Sequence, residues 1–491
     1  MTLTYILVFV IFALIIGWLV PPRRRILFFL GGSVLAIYWL QPSTPIRNLD
    51  FWFPTASIVL TGLVWAVVSK AAAGEIGSFN KSTLISGGII SGLILLVGVT
   101  RYIEPLNWLT PTRPPNILVV AVVLVAITMG IFLLYRIWPN KRFLSNLTII
   151  VIIVLFIVLK SDDLSVAASA WLRSRTGQPV ITALTTDLPW IGFSFLALRL
   201  LHVLRDYQGG RLPSYSLREF ISYAIFFPTY TAGPIDRSQR FMGDLRKTTA
   251  AAGENSITLG PIKFYGNSEQ LVVGSRRILW GVFKKFVLAD GLALIALNGL
   301  NAAHVQSTLW MWVLLYAYAL RIYFDFSGYT DIALGLGLFM GFKLPENFDR
   351  PYLKSSLTAF WNSWHITLAQ WFRSYYFNPV TRGMRLRGLP AWLIIIVGQF
   401  STMLLIGLWH GITWNFAIWG AWHGIGLFVN NRWTAWMGPR LSLLELGGFT
   451  RRVLTVSGWF VTFNYVTLGW VWFVLPDVEL SWRVLQRLFG F

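Results

Sequence analysis

Apolar runs of membrane-crossing character occupy the first 160 residues, and shorter, interrupted ones fill most of the rest. The clear runs are 4–20, 26–40, 51–69, 83–99, 116–135 and 146–160, lengths suited to helices crossing about 30 Å of hydrocarbon. Later candidates lie near 189–203, 308–323, 392–408, 412–429 and 454–475. None alternates apolar with polar in ten-residue units, so a β-barrel is not predicted. The pattern predicts an all-α integral membrane protein with about eleven transmembrane helices.

The pattern changes along the chain. Residues 161–188 form a polar, partly amphipathic connection carrying Asp162, Asp163, Arg173 and Arg175, and residues 236–287 form the longest polar stretch. In "FFPTYTAGPIDR", 226–237, Pro228, Gly233 and Pro234 interrupt an apolar run, which predicts a re-entrant or broken segment. Carbonyls freed by such a break must face protein or water. "SLTAFWNSWHITLAQWFRSYYF", 356–377, fits one amphipathic helix at a membrane boundary. Leu357, Phe360, Trp361, Trp364, Leu368, Trp371, Phe372 and Tyr375 fall on its apolar arc, with His365 at the seam. No internal repeat is evident, and the chain is treated as a single polytopic membrane domain.

Composition reinforces this. Only 12% of the 491 residues are charged, against about a quarter in soluble proteins. The net charge of +21 is spread over short loops. Positive-inside anchoring and attraction to anionic lipid account for it without nucleic acid. Arg23–Arg25 follow the first apolar run instead of preceding it, so that run is expected to be a retained span and not a signal peptide. The N-terminus is then extracytoplasmic, and Lys70, Lys81, Arg136, Lys141 and Arg142 alternate consistently with that topology. Zero cysteines exclude disulfides, thiolate metal sites and a cysteine nucleophile.

Five histidines are present: His202, His304, His365, His410 and His423. His304 lies in a polar loop, and His202, beside Arg199 and Arg205, suits a helix end. His410 sits in an apolar run between Gly407 and Gly411, glycines that admit a close backbone or substrate. It is either a functional group or a buried neutral ring satisfied by a neighbouring helix. His365, His410 and His423 stand 45 and 13 residues apart with no adjacent carboxylate, which does not resemble a metal site. Asp325 and Tyr329, four apart, share a helix face. Asp325 and Asp331, with Arg321 and Arg350 nearby, form either a structural network around irregular backbone or an ion path of a transporter.

Four blocks, "FFPTYTAGPIDR", "RIYFDFSGYTDIALGLGLFMGFKLPENFDRPY", "FWNSWHITLAQWFRSYYF" and "GLWHGITWNFAIWGAWHG", resemble the membrane-bound O-acyltransferase family. The similarity is to its bacterial branch, which contains the alginate O-acetylation and teichoic-acid D-alanylation membrane proteins. A weaker block is "GWVWFVLPDVELSWRVLQRLFG"; together they cover about residues 190–490. The resemblance implies re-entrant and amphipathic helices ringing a central funnel or tunnel, with the acyltransferase core in 190–490 and peripheral spans in 1–160. It makes His410 the general base and His365 the second catalytic position. It places Trp364, Trp409, Asn415 and His423 along the tunnel, with Arg373, Asp325 and Tyr329. No bound cofactor or metal is implied. The implied donor is acetyl-CoA or an acylated phosphopantetheine carrier protein. The acceptor is a hydroxyl of an envelope or exported polysaccharide or polyol, reached directly or through an extracytoplasmic partner transferase, at the cell inner (plasma) membrane. The chain departs from the branch at Ser374, where an aspartate usually separates Arg373 from Tyr375, and at Asn362 and Ser363, where basic residues are common.

Overall fold

A computed structural model describes residues 2–69, 81–103, 109–137, 141–250, 257–259, 262–443 and 447–491. Lys70 lies outside them. Every apolar run predicted from the sequence is helical. The first unit, Met1–Ile278 with Ile332–Leu344, begins with α1 (Leu3–Leu14), which ends in a wider π-turn, then α2 (Pro22–Leu40) and α3 (Leu49–Val68). Next come α4 (Lys81–Val99), α5 (Ile117–Ile137), α6 (Lys141–Lys160), α7 (Asp162–Arg175) and α8 (Phe193–Gln208). The short α9 (Leu217–Ala224) and α10 (Phe227–Tyr230) precede α11 (Ser238–Ala250) and a small hairpin, β1 (Ile257–Leu259) with β2 (Ile262–Phe264).

The second unit is Leu279–Asp331 with Pro345–Phe491. Both α12 (Ser268–Val282) and α15 (Thr308–Phe339) contribute residues to each unit, with the short α13 (Asp290–Ala293) and α14 (Gly299–His304) between them. There follow α16 (Leu357–Trp361), α17 (Ile366–Phe372), α18 (Asn378–Leu386), α19 (Ala391–His410), α20 (Trp414–Ser442), α21 (Gly448–Val474) and α22 (Val478–Leu488).

Among the described residues, α3, α4, α6 and α19 are each long and apolar enough to cross a membrane unaided. The later predicted runs carry polar and glycine positions that lower their hydropathy, so the figure of eleven spans rests on the sequence pattern.

Three expectations are revised. Of the Arg23–Arg25 cluster, only Arg23 and Arg24 are exposed. Arg25 turns inward and donates from Nε to the Val20 carbonyl (3.1 Å) and from Nη2 to the Gly17 carbonyl (2.6 Å), closing the end of the first span. His202 lies inside α8, not at its end, and its buried Nε2 faces the Ser238 N–H at 3.4 Å and the Tyr223 hydroxyl at 3.1 Å. Residues 321–339 are unbroken helix within α15, not irregular backbone.

The interruption at 226–237 is observed, and its carbonyls face protein. The buried Arg199 guanidinium donates to the carbonyls of Ala224 (2.8 Å) and Thr229 (2.5 Å) and to Thr229 Oγ1 (2.6 Å).

The helix pair that carries two of the histidines packs antiparallel through glycines. A β-carbon on Gly407 would lie 2.2 Å from the Phe416 carbonyl oxygen, one on Gly420 2.6 Å from that of Met403, and one on Gly424 2.9 Å from Phe400 Cα. These are backbone obstacles that no rotamer change relieves. Gly420→Ala is therefore expected to destabilise the protein by about 1–3 kcal/mol, the usual cost of overpacking. Gly438→Ala, on the same helix with nothing within 4 Å of the added carbon, should leave the thermal midpoint in detergent near native. Equal midpoints for the two variants would contradict the packing described.

Candidate active site

Residues 356–377 do not form the single helix predicted. α16 stops at Trp361, residues 362–365 turn, and α17 restarts at Ile366 with His365 in the left-handed region at φ 43°. A non-glycine residue there signals a conformation held by its surroundings. The turn pairs with the loop preceding α16: Asp349 N–H donates to the Ser363 carbonyl and Ile366 N–H to that of Asn347, both at 3.0 Å. The break rotates Ser363, His365 and Thr367 inward, so all three are buried. His365, placed at a wet seam by helical periodicity, is only 4% exposed. Its ring stands edge-on to Phe326 of α15, with centroids 4.7 Å apart, and 6.2 Å from Trp409.

His410 is the last residue of α19, where the chain turns into α20. It is half-buried. Around it stand Trp409 (4.9 Å), Phe473 (4.9 Å), Trp419 (5.6 Å) and Phe416 (5.9 Å). The close approach expected at Gly407 and Gly411 comes from Phe416, by its carbonyl at the first and its ring at the second. His423 lies two turns into α20, fully buried against Trp419 (4.9 Å) and Trp361 (5.1 Å). Neither of its ring nitrogens has a hydrogen-bond partner among the described residues. The structure thus brings the three histidines into one aromatic chain, from His365 through Trp409 to His410, then through Trp419 to His423.

Other predicted residues are positioned differently. Trp364 joins the same wall, packing on Trp470 at 5.1 Å and on Phe360, Phe348 and Tyr352. Asn415, buried in the first turn of α20, donates to the Leu475 carbonyl (2.8 Å) and faces Ser481 Oγ (3.1 Å), tying α20 to the start of α22. Arg373 donates to Asn362 Oδ1 at 2.5 Å, so the arginine beside Ser374 bonds to a residue that departs from the branch pattern. Tyr329 is buried in α15, four residues on from Asp325, whose side chain is half-exposed.

The carboxylates do not pair with Arg321 or Arg350. Lys284 and Lys285, in the π-turn after α12, reach Asp331 at 2.6 Å and Asp325 respectively. The partners are 47 and 40 residues distant, beyond reach of local sequence reasoning. No group of three potential metal ligands occurs among the described residues.

Sequence reasoning missed Trp419, Trp470 and Phe473, which surround the histidines. Trp419 carried a signal, since it precedes His423 by one helical turn on the same face. Asn347 was also missed; it contacts His365 Nδ1 from a loop position that no periodicity marks.

The Lys284–Asp331 pair tests whether the carboxylates are structural. Asp331→Asn should lower stability by about 1–3 kcal/mol, because it leaves a partly buried ammonium without its counter-charge. Lys284→Met combined with Asp331→Leu should recover most of that loss. Thermal unfolding of the purified variants reads both, and a double variant no better than the single one would contradict a structural pair.

Comparison with known proteins bears on the same elements. The profile of MBOAT, the membrane-bound O-acyltransferase family, matches residues 142–473. A probable alginate O-acetylase AlgI of Pseudomonas aeruginosa is 33% identical over 317 residues, 64% of this chain and 54% of the relative. A peptidoglycan O-acetyltransferase of Helicobacter pylori is 33% identical over 279 residues, 56% of this chain and 48% of the relative. A teichoic acid D-alanyltransferase of Streptococcus thermophilus is 31% identical over 269 residues, 52% of this chain and 60% of the relative. The chain spans about half the length of the alginate and peptidoglycan relatives it matches. The profile match covers the histidine-bearing helices α19 and α20 and most of α21, and the chain belongs to the membrane-bound O-acyltransferase family.

Proposed function

We propose that this multi-pass membrane protein transfers an acyl group, acetyl from acetyl-CoA in the preferred reading, from a thioester to a hydroxyl of an envelope or exported polysaccharide. The acyl group passes to the sugar directly or through an extracytoplasmic partner transferase. The observation that carries this reading is the pair of histidines with unequal access. His410 is half-buried at a helix end among aromatic rings, and His365 is buried beside it across Trp409. Acyl transfer needs a base that reaches the acceptor hydroxyl and a group that polarises the thioester carbonyl or orients the acceptor. His410 takes the first role because its ring is accessible. His365 takes the second, and Trp364 and Trp409 form the apolar wall between donor and water.

Acetyl is preferred because the alginate O-acetylase and peptidoglycan O-acetyltransferase relatives are at 33% identity, slightly above the D-alanyltransferase relative at 31%. D-alanyl transfer from a carrier protein uses the same bond chemistry and is the alternative. The basic loops suit either donor, since coenzyme A and a carrier's phosphopantetheine arm both present phosphate. The same loops favour the plasma membrane with Arg23 and Arg24 cytoplasmic and the N-terminus outside. A transporter built on Asp325 and Asp331 is disfavoured, because both carboxylates are neutralised by lysines.

Cells carrying the native protein or His410→Ala at matched membrane abundance provide the test. Mild alkali releases ester-linked groups from envelope and exported glycans, and mass spectrometry identifies them. The expected result is a fall in released acetate of about 10²–10⁴-fold, the usual worth of a general base. Loss of D-alanine instead selects the alternative donor, and unchanged esters would remove His410 from the base role.

A further inference from the structure

Asn347 precedes α16 in a loop and is completely buried. Its side-chain oxygen accepts from the Thr367 N–H at 3.2 Å and from the Thr367 hydroxyl at 2.9 Å, and it lies 3.2 Å from His365 Nδ1. Its backbone carbonyl accepts from Ile366 N–H. One residue therefore holds the backbone on the far side of His365 and touches the imidazole as well.

Side-chain amides and imidazoles are ambiguous groups, since the amide can be turned over and the ring proton can sit on either nitrogen. Here one donor resolves both. A backbone N–H only donates, so the Asn347 atom facing Thr367 N must be the oxygen. That same oxygen faces His365 Nδ1. An oxygen lone pair against a nitrogen lone pair would repel, so Nδ1 carries the proton. The neutral ring then has its lone pair on Nε2, on the side turned away from Asn347. The amide nitrogen of Asn347 finds no partner among the described residues, so the orientation is set by the acceptor that Thr367 and His365 share.

We infer that Asn347 is a positioning residue that fixes His365 as the Nδ1–H tautomer and presents Nε2 as its basic atom. The rate consequence rests on the acyl-transfer reading above, whereas the tautomer does not. With Nε2 as an acceptor, His365 orients a hydroxyl or receives its proton, and does not serve as a neutral donor to a thioester carbonyl. This narrows the two roles open to His365 to orientation of the acceptor.

The test uses the full-length protein labelled with 15N-histidine in lipid nanodiscs, where five histidines give a small spectrum. The His365 signals are those lost in His365→Gln. The native protein is expected to show a protonated Nδ1 and an unprotonated Nε2 at His365. Asn347→Asp retains the acceptor and should retain the proton on Nδ1. Thr367→Val keeps the backbone N–H that orients the amide and should do the same. Asn347→Leu should give a mixture of tautomers or Nε2–H, with acyl transfer reduced at least about tenfold, as for other groups that orient a functional histidine. A native His365 protonated on Nε2 overturns the inference, even where Asn347→Leu does not fold. So does a folded Asn347→Leu that keeps Nδ1–H. Absence of acyl transfer by a native protein showing Nδ1–H would remove the proposed reaction and uphold the tautomer.

Discussion

Backbone that leaves a helix within an apolar setting exposes N–H and C=O groups that water cannot reach, and each one left without a partner costs several kcal/mol. Among the described residues, buried polar side chains meet this constraint at several places, Arg25 at the end of the first span being one. Arg199 serves the interrupted segment after α9, where its guanidinium collects the carbonyls of Ala224 and Thr229. Asn347 serves the break between α16 and α17, accepting from Thr367 with its side chain and from Ile366 with its main chain. The choice of residue follows the groups exposed: five donors suit a row of free carbonyls, and an amide oxygen suits free N–H groups. Without the arrangement at Asn347, His365 would not hold its left-handed backbone, and the wall built on it would not form.

The same break explains why His365 and His410 differ. A straight helix through 356–377 would put His365 at a boundary, yet the turn at 362–365 drives it inward to 4% exposure. His410 gains access by the opposite device. It ends α19 near where Gly407 and Gly420 draw two backbones together, and the rings of Phe416, Trp419 and Phe473 pack around it. Close glycine packing therefore does more than join helices, because it fixes Trp419 between His410 and His423 with little room for relaxation.

Much of this was legible in the sequence. Long apolar runs gave helices wherever they were expected, because length and hydropathy are local properties. The clustering of His365, His410 and His423 followed from motifs that had already marked those residues. Their environments did not follow. Periodicity assumes a continuous helix, and the tertiary hydrogen bonds from Asn347 override it over four residues. Asp325 and Asp331 were assigned arginine partners by proximity in sequence, whereas Lys284 and Lys285 come from a π-turn that no local pattern announces. Arg25 looked like a surface anchor until its guanidinium closed the end of the first span.

The division of labour proposed for the histidines bears on how one scaffold accommodates different acyl groups. Relatives named for acetyl and for D-alanyl transfer match this chain over regions of comparable identity. A D-alanyl group carries an α-ammonium and an α-methyl that an acetyl group lacks, yet both leave a thioester and arrive at a hydroxyl. On the proposed reading, the base and the group that orients the hydroxyl face only what is common to the two reactions. The same proposal assigns discrimination to residues meeting the acyl substituent or the donor's carrier, not to His365 or His410. Arg373 and Asn362 lie exposed beside the break before α17 and bond to each other, with the departures Ser374 and Asn362 at the same place. That hydrogen bond lies on the exposed side of the break, apart from the buried contacts of Asn347 that hold His365.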